Sequence, residues 1–473
     1  MSEAVKKISL VELAVNYFRD FKVLKETRSE YWGLQIINFL DCTAYFAMFN
    51  IATVFLSEDF KFTDVQAGYI YTLFSSTVTI CLFFFGVVTD WLGIKRSMYA
   101  SMFGLLLLRA AVVVVSVNQN LPYRGLAVIL ALFLMAPCMA MVQTNFQAAN
   151  KRFTTSRSRS AGFNLWYLFM NIGAAAGGFL IDIVRQWLGL SYAHVFTVGV
   201  FCAAASVVVT FLMVHREQQL YGPDETPQAA PPAESRDMFQ VARAVLAEPV
   251  FWRFLVLVAL LLGVRAVFLY NGLLWPKYWL RVIGPDAKIG TLNAINPILI
   301  VIGLILLIPI LHRFNVYKML VYGAIVSGVS MFVIAIPSWG FATYVTSIVA
   351  IVLLSIGELI WSPRLSEYTA AIAPEGQEGT YLGLSMVPYF LAKTIVSLFS
   401  GHMLNRWVPE FPADEPILRD RLAGGLIPFW RTPSALWIIL GAFAVGGPVI
   451  ALLMKGWFTK GAKWEKDKAA AAE

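Results

Sequence analysis

Apolar residues along this chain come in long runs, separated by short stretches rich in Gly, Pro, Asn, Asp, Lys and Arg. A helix needs about 20 residues to cross the hydrocarbon of a bilayer, and only helices or closed barrels satisfy their own backbone there. Runs of that length lie at about 31–56, 66–89, 97–117, 122–147, 160–183, 190–214, 250–280, 289–311, 317–337, 339–362, 379–405 and 434–456. The pattern predicts an all-α integral membrane protein with twelve transmembrane helices. Its thinnest separation is between the ninth and tenth runs, where only Pro337, Ser338, Trp339 and Gly340 supply a turn. Eleven spans would put the C-terminus outside.

Charge turns the spans into a topology. Short cytoplasmic loops retain Lys and Arg. One alternating set of loops, with both tails, holds 24 basic residues, among them Lys95, Arg96, Lys151, Arg152 and Arg364; the opposite set holds 10, among them Lys61, Lys277 and Arg281. Both termini therefore read as cytoplasmic in a multi-pass protein of the cell membrane. The net charge of +8 is explained by this asymmetry, and no nucleic-acid partner is called for. Residues 1–30 have neither the apolar core nor the cleavage site of a secretory signal. Leu10, Leu13, Ala14, Tyr17, Phe18, Phe21 and Leu24 instead recur at helical spacing with Arg19, Lys22 and Lys25 among them, which suits a helix on the membrane surface or one packed on cytoplasmic loops. Composition agrees, with 58% hydrophobic and 14% charged residues, too apolar for an ordinary soluble chain of this size. The four cysteines fall singly in apolar runs and the four histidines are scattered, so no disulfide, metal or cofactor is indicated.

Organisation narrows the function. The longest polar break, 216–249, divides residues 31–215 from 250–456, six spans from six, with a cytoplasmic segment at 1–30 and a basic tail at 457–473. Transporters with paired halves show this division and bind their solute near the midplane. A channel or a membrane enzyme can share the count. The loop after the second span reads Gly86-Val-Val-Thr-Asp90-Trp-Leu-Gly93-Ile-Lys95-Arg96. An acid at a helix end, a glycine turn and two cations can link helix ends by charge-assisted hydrogen bonds, or simply form a positive-inside loop. With twelve spans around it, the segment resembles the signature of the major facilitator superfamily, in which this loop helps control closure on the cytoplasmic side. That resemblance implies gating by Asp90, Gly93, Lys95 and Arg96. The second-half counterpart, His312-Arg313-Phe314-Asn315-Val316-Tyr317-Lys318, lacks the acid and the glycine.

Ionisable groups inside spans are costly and face a cavity or a partner. Five stand out: Asp41, Arg109, Arg265, Glu358 and Lys393. Asn38, Asp41 and Tyr45 share one helical face, either lining a cavity or tying helices together. Asp41 can neutralise on burial, which suits it to carry a coupling proton. Glu358, in Gly357-Glu358-Leu359-Ile360-Trp361-Ser362-Pro363, sits on a helix ended or broken by proline and can meet a substrate cation or a buried arginine. Arg265 needs a carboxylate, either on the solute or in the protein, where Asp41 or Glu358 could serve. Arg109 has the weaker case, because its span can face lipid and let the side chain reach an interface. Lys393, four residues after Tyr389, can pair with an acid or bind an anionic solute. Asn164, Tyr167 and Asn171 share a face of the fifth span, and Gln143, Asn145, Asn293 and Asn296 are further polar positions, with Pro297 and Pro388 as possible kinks.

Three segments resemble the proton-dependent oligopeptide transporter family within that superfamily: Glu358 to Pro363 with Tyr368 and Ala373-Pro374, Trp166 to Gly173, and Leu292 to Pro297. The resemblance implies a secondary active transporter, not an enzyme, taking up a small polar or zwitterionic solute such as a di- or tripeptide with protons, as a functional monomer in contact with membrane lipid. Of the site, the resemblance carries over only Glu358, which in relatives meets a peptide's amino terminus; the polar positions read above make the candidate solute site Glu358, Tyr45, Asn38, Gln143, Asn171, Arg265, Asn293 and Lys393, with Asp41 and Glu358 as candidate proton carriers. The chain departs from the family where its charges usually lie. Asn38, Asp41 and Cys42 stand at the first helix's two glutamates and arginine, and Gln143 at the fourth helix's lysine. The seventh span has no acid. Two other functions fit a cavity poor in charge: a proton-coupled exporter of drugs or amphipathic lipids, and a non-transporting receptor.

Overall fold

A computed structural model describes residues 15, 18, 19, 21–218, 220, 221, 249–306, 314–372, 378–412 and 414–459. Nearly all of these are helical. The helices are α1 (Ser29–Glu58), α2 (Asp64–Leu92), α3 (Ile94–Val117), α4 (Arg124–Arg152), α5 (Ser156–Asp182), α6 (Ala193–Met213), α7 (Pro249–Leu260), α8 (Leu262–Leu273), α9 (Trp275–Val282), α10 (Ile289–Leu306), α11 (Val316–Ile334), α12 (Phe341–Ile372), α13 (Glu378–Trp407), α14 (Leu418–Ala423) and α15 (Pro433–Leu453). Among the described residues, ten helices are long and apolar enough to cross a membrane, and an eleventh counts if α7 and α8, bent by 40°, form one span. The protein is thus an all-α, multi-pass membrane protein. Phe201 and Phe211 on α6 and Phe443 and Leu453 on α15 stand exposed, a pattern costly in water and natural against lipid.

The helix ends follow local chemistry. Thr155 and Ser158 form a reciprocal capping box that starts α5. Asn315 caps α11 by accepting from the Lys318 backbone N–H at 3.0 Å. The thin separation foreseen at residues 337–340 is present: α11 stops at Ile334 and Gly340 takes φ +58° before α12 begins. One expectation is corrected, because α12 is not ended at Pro363 but runs on to Ile372. Several expectations fall on residues outside those described: Leu10 to Ala14 with Tyr17, the linker residues 222–248, His312-Arg313, Ala373-Pro374 and the basic tail from residue 460. Of the N-terminal stretch, Phe21–Glu26 is a 3-10 turn whose Leu24 is fully buried, whereas Val15 and Phe18 are exposed.

The chain divides into two compact units. The first comprises Met1–Met48, Thr77–Pro227 and Pro297–Arg313. In it α3 packs on α4 and α6, burying Met98, Met102, Leu105 and Val112 of α3 and Met135, Met139 and Val142 of α4. The second comprises Phe49–Ser76, Gln228–Asn296 and Phe314–Glu473, so it includes the hairpin made by the end of α1 and the start of α2. Its core is aromatic: Phe254, Tyr317, Trp361 and Tyr368 pack with Leu257, Val264 and Leu320. Buried polar tips there are satisfied, Tyr317 donating to Ala451 O at 2.6 Å and Trp361 Nε1 to Ser327 Oγ at 3.1 Å.

Candidate functional site

In the first unit, α1 delivers its polar face inward. Asn38 is fully buried; its Nδ2 donates to Trp166 O on α5 at 2.9 Å and its Oδ1 accepts from the Cys42 thiol at 3.4 Å. One turn on, Asp41 meets Arg109 of α3, whose Nη2 donates to Asp41 Oδ1 at 3.1 Å. Nη1 of the same guanidinium donates to Gly199 O on α6 at 3.3 Å. One arginine thereby ties α1, α3 and α6. It is 2% exposed, which overturns the expectation that Arg109 reaches for an interface. Position 109 continues the inward stripe of 98, 102, 105 and 112, so the helix period itself turns this side chain into the bundle. Asp41 is accordingly Arg109's partner, not the counter-ion held open for Arg265. Tyr45 is half-buried with its ring edge-on to Phe46 at 5.1 Å between centroids.

The other first-unit positions divide. Asn145 is fully buried and accepts from Ser97 Oγ at 2.7 Å, whereas Gln143, two residues earlier, is exposed on another face of α4. Asn171 donates to its own helix at Tyr167 O, 2.9 Å away. At the loop between α2 and α3, Asp90 faces Arg152 at the end of α4, 3.4 Å away, while Arg96 stays exposed and Lys95 half-buried. Gly93 adopts φ +80°, and a Cβ there would stand 2.6 Å from Glu217 Oε2. The positive φ calls for glycine, whereas the Glu217 carboxylate, at the end of a flexible side chain, could move aside from a Cβ. The Asp90 cation therefore comes from α4 rather than from the motif's own pair.

In the second unit, Glu358 on α12 is half-buried and held by a neutral donor: Asn296 Nδ2 lies 3.0 Å from Glu358 Oε2 and 3.0 Å from Ser355 Oγ. Arg265 of α8 is near enough to act electrostatically on Glu358, and its guanidinium lies 4.7 Å from the centre of the Trp361 ring. Three consecutive features of the α12 segment, Ser355, Glu358 and Trp361, thus fall on one face by their three-residue spacing. Asn293 is buried, one turn before Asn296, and donates back to Ile289 O at 3.0 Å. Lys393 on α13 is half-buried and meets no hydrogen-bond or ion-pair partner among the described residues.

A further cluster escaped sequence reasoning. Asp64, the first residue of α2, takes Lys277 Nζ at 2.6 Å and both Arg281 Nη atoms, at 2.7 and 2.9 Å. Lys277 also donates to Ser57 Oγ at 2.6 Å, and Arg281 to Glu410 Oε2 at 2.9 Å and Val408 O at 2.6 Å. The missed signal was Lys277 and Arg281 at i and i+4 among Trp275, Tyr278 and Trp279, a spacing that puts both cations on one face of a helix too aromatic for a loop.

Comparison with known proteins agrees with this architecture. The chain is 24% identical over 331 residues, 67% of its own length and 72% of the relative's, to an uncharacterized MFS-type transporter, YqjV, of Bacillus subtilis (strain 168). A crystal structure of the peptide transporter POT in complex with sulfate superimposes with a TM-score of 0.70 at 13% identity, covering 94% of this chain and 99% of that one. A tetrameric PepTSo2 gives 0.67 at 16% identity over 91% and 99%. A structure described for substrate recognition in proton-dependent oligopeptide transporters gives 0.66 at 18% identity over 90% and 97%. These likenesses show a shared fold. The family model described as Major Facilitator Superfamily matches residues 34–397, and the chain belongs to that superfamily.

Proposed function

We propose that this secondary transporter takes up a small polar or zwitterionic solute, such as a di- or tripeptide, together with protons. The observation that carries the reading is Glu358: a carboxylate inside a membrane helix, held by the amide of Asn296 and facing Arg265, with acceptor capacity left for a cationic group of the cargo. The fold shared with solved peptide transporters supports the cargo class. Asp41 is the second proton candidate. Protonation would break its contact with Arg109 and loosen the α1–α3–α6 tie, giving a proton a mechanical consequence.

The transport cycle is read as alternating access by twelve helices in two six-helix halves, 31–215 and 250–456, joined by the cytoplasmic linker 216–249. Counting α13 as a span completes the twelve, and both termini are then cytoplasmic, as the basic-loop asymmetry favours. Asp90, Gly93, Lys95 and Arg96 gate the inner side, with Arg152 as the partner of Asp90. Asn38, Tyr45, Gln143, Asn171, Asn293 and Lys393 complete the solute-site assignment, and a single chain is the transport unit. Uptake of labelled dipeptides into proteoliposomes tests the reading. An inward proton gradient should accelerate uptake, and Glu358→Gln should abolish the acceleration or the binding. Gradient-independent uptake would rule out symport, and unchanged transport by Glu358→Gln would remove that residue from the site.

A further inference from the structure

Residues 15–28 repeat with a period of three. Val15, Phe18, Phe21 and Leu24 form an apolar phase, and Arg19, Lys22, Lys25 and Arg28 form a basic phase one residue later; the remaining phase holds both acids, Asp20 and Glu26. Phe21–Glu26 is a 3-10 turn, in which side chains three apart eclipse, so there the phases become rows. Each row meets something different. The apolar row is fully buried at Leu24, half-buried at Phe21, and 52% and 58% exposed at Phe18 and Val15, so it runs from the bundle onto open surface. Glu26, of the acidic phase, reaches Arg157 of α5 at 3.5 Å. Arg19, Lys22 and Lys25 are exposed and Arg28 is half-buried, and none of the four stands within ion-pair distance of an acid among the described residues.

The segment is pinned at a membrane boundary. Thr27 Oγ1 donates to Leu24 O at 2.6 Å, closing the turn just before α1, and Tyr31 in the first turn of α1 donates to Gly162 O on α5 at 3.1 Å. Both α1 and α5 are long and apolar enough to cross a membrane, and the 3-10 turn packs on α5. Trp32, 40% exposed at the start of α1, sits where an amphipathic ring marks the headgroup level. Glu30 is turned inward, its Oε1 accepting from the Arg216 backbone N–H at 2.9 Å, so it does not neutralise the cations outside it. An exposed apolar row beside an exposed basic row is costly against water and complementary to acyl chains topped by phosphates. We propose that Arg19, Lys22, Lys25 and Arg28 bind the phosphates of anionic phospholipid while Val15 and Phe18 enter the acyl boundary beside them. Leu24 and the Glu26–Arg157 pair hold this lipid site to α5. A loop that only sets topology needs its cations in number, not in phase. The three-residue period is what collects them on one side.

The test reads the apolar row directly. In a cysteine-free chain carrying Val15→Cys, an environment-sensitive fluorophore on that thiol is followed in nanodiscs of phosphatidylcholine with increasing phosphatidylglycerol. Emission should shift to the blue as phosphatidylglycerol rises, and the shift should retreat in high salt. Each cation at an anionic surface strengthens attachment about fivefold, so Lys22→Gln with Lys25→Gln should need at least about tenfold more phosphatidylglycerol for the same shift. Lys455→Gln with Lys460→Gln removes the same charge from the other end of the chain and should keep the parent curve. Melting temperature in detergent identifies a variant that has lost its fold, and Arg19→Gln, exposed and clear of the turn, then replaces it with an expected change of about fivefold. A shift already complete in pure phosphatidylcholine, or equal curves for the two double variants, overturns recognition of anionic lipid. Reversal by millimolar glycerol phosphate assigns the basic row to a soluble phosphate and overturns the lipid, and no shift in any mixture places the apolar row against protein and overturns the site. A disc offers both leaflets and no cargo, so the result stands apart from the cytoplasmic assignment of the N-terminus and from peptide uptake.

Discussion

The two units solve the same problem, a carboxylate inside a membrane helix, in different ways. In the first, Asp41 faces a full positive charge, and Arg109 gives a further donor, Nη1, to the Gly199 carbonyl. The arrangement is closed on itself: one negative, one positive, three helices tied. In the second, Glu358 faces an amide at 3.0 Å, while Arg265, which acts on it electrostatically, lies over an indole ring. That arrangement is more open, because the donor bonded to the carboxylate is neutral and Arg265 acts on it electrostatically from beside an indole face. A closed pair suits a switch thrown by a proton; an open one suits a ligand that arrives carrying the missing charge.

The largest effect should come from breaking the closed pair. Arg109→Ala removes the cation paired with Asp41 among the described residues and strands a buried carboxylate, a loss of about 3–5 kcal/mol. Thermal unfolding in detergent should show it as a steep fall in melting temperature. Adding Asp41→Asn should recover part of the loss, because the uncompensated charge disappears with its partner. If Arg109→Ala alone leaves stability unchanged, the pair is not the tie it is taken for, and the contrast between the units collapses.

Next comes Glu358→Gln, which should behave in the opposite sense. The amide is nearly isosteric and still accepts from Asn296, so folding should change little, while a charge-assisted contact to the cargo is lost and uptake falls about tenfold or more. Stability and transport thus separate the two carboxylates: the first-unit substitution moves the melting curve, the second-unit one moves the uptake rate. Asn296→Ala should fall between them. It frees Glu358 from its neutral donor without removing the charge, for about 1 kcal/mol of lost hydrogen bonding, read as a severalfold change in KM with kcat less affected.

The sequence carried the fold better than the pairings. Spans were legible because a bilayer demands long apolar runs whatever their neighbours, and even the thin turn at Pro337–Gly340 followed from residue type alone. The break at Leu261 was not, since nothing in Leu260-Leu261-Leu262 marks it; packing against the rest of the unit decides it. Asn38, Asp41 and Tyr45 were legible as a face, and Glu358 as an unusual charge. Which cation met which acid was not, because pairing joins helices far apart in the chain. Arg109 was misread although its stripe with Met98, Met102, Leu105 and Val112 was available, because lipid-facing and bundle-facing stripes are equally apolar in a membrane. Lys277 and Arg281 were read only as loop charges, since the positive-inside count sums cations without asking where each one points.

The smallest effect sharpens the comparison most finely, because it asks whether Arg265 belongs to Glu358 or to Trp361. A guanidinium 4.7 Å from an indole centre gains from its flat, weakly hydrated face as well as from its charge. Lysine keeps the charge and loses the face. If Arg265 works mainly as a counter-charge to Glu358, Arg265→Lys should leave uptake and stability near the parent values. If the ring holds it, the substitution should cost about 0.5–1 kcal/mol, a two- to fivefold change in KM, and Trp361→Leu should abolish the difference between arginine and lysine at position 265. The open reading of the second unit predicts the latter outcome: with Arg265 parked on Trp361, Glu358 keeps its charge for the cargo. A null result in both variants would place the arginine on the carboxylate, and the second unit would then be as closed as the first.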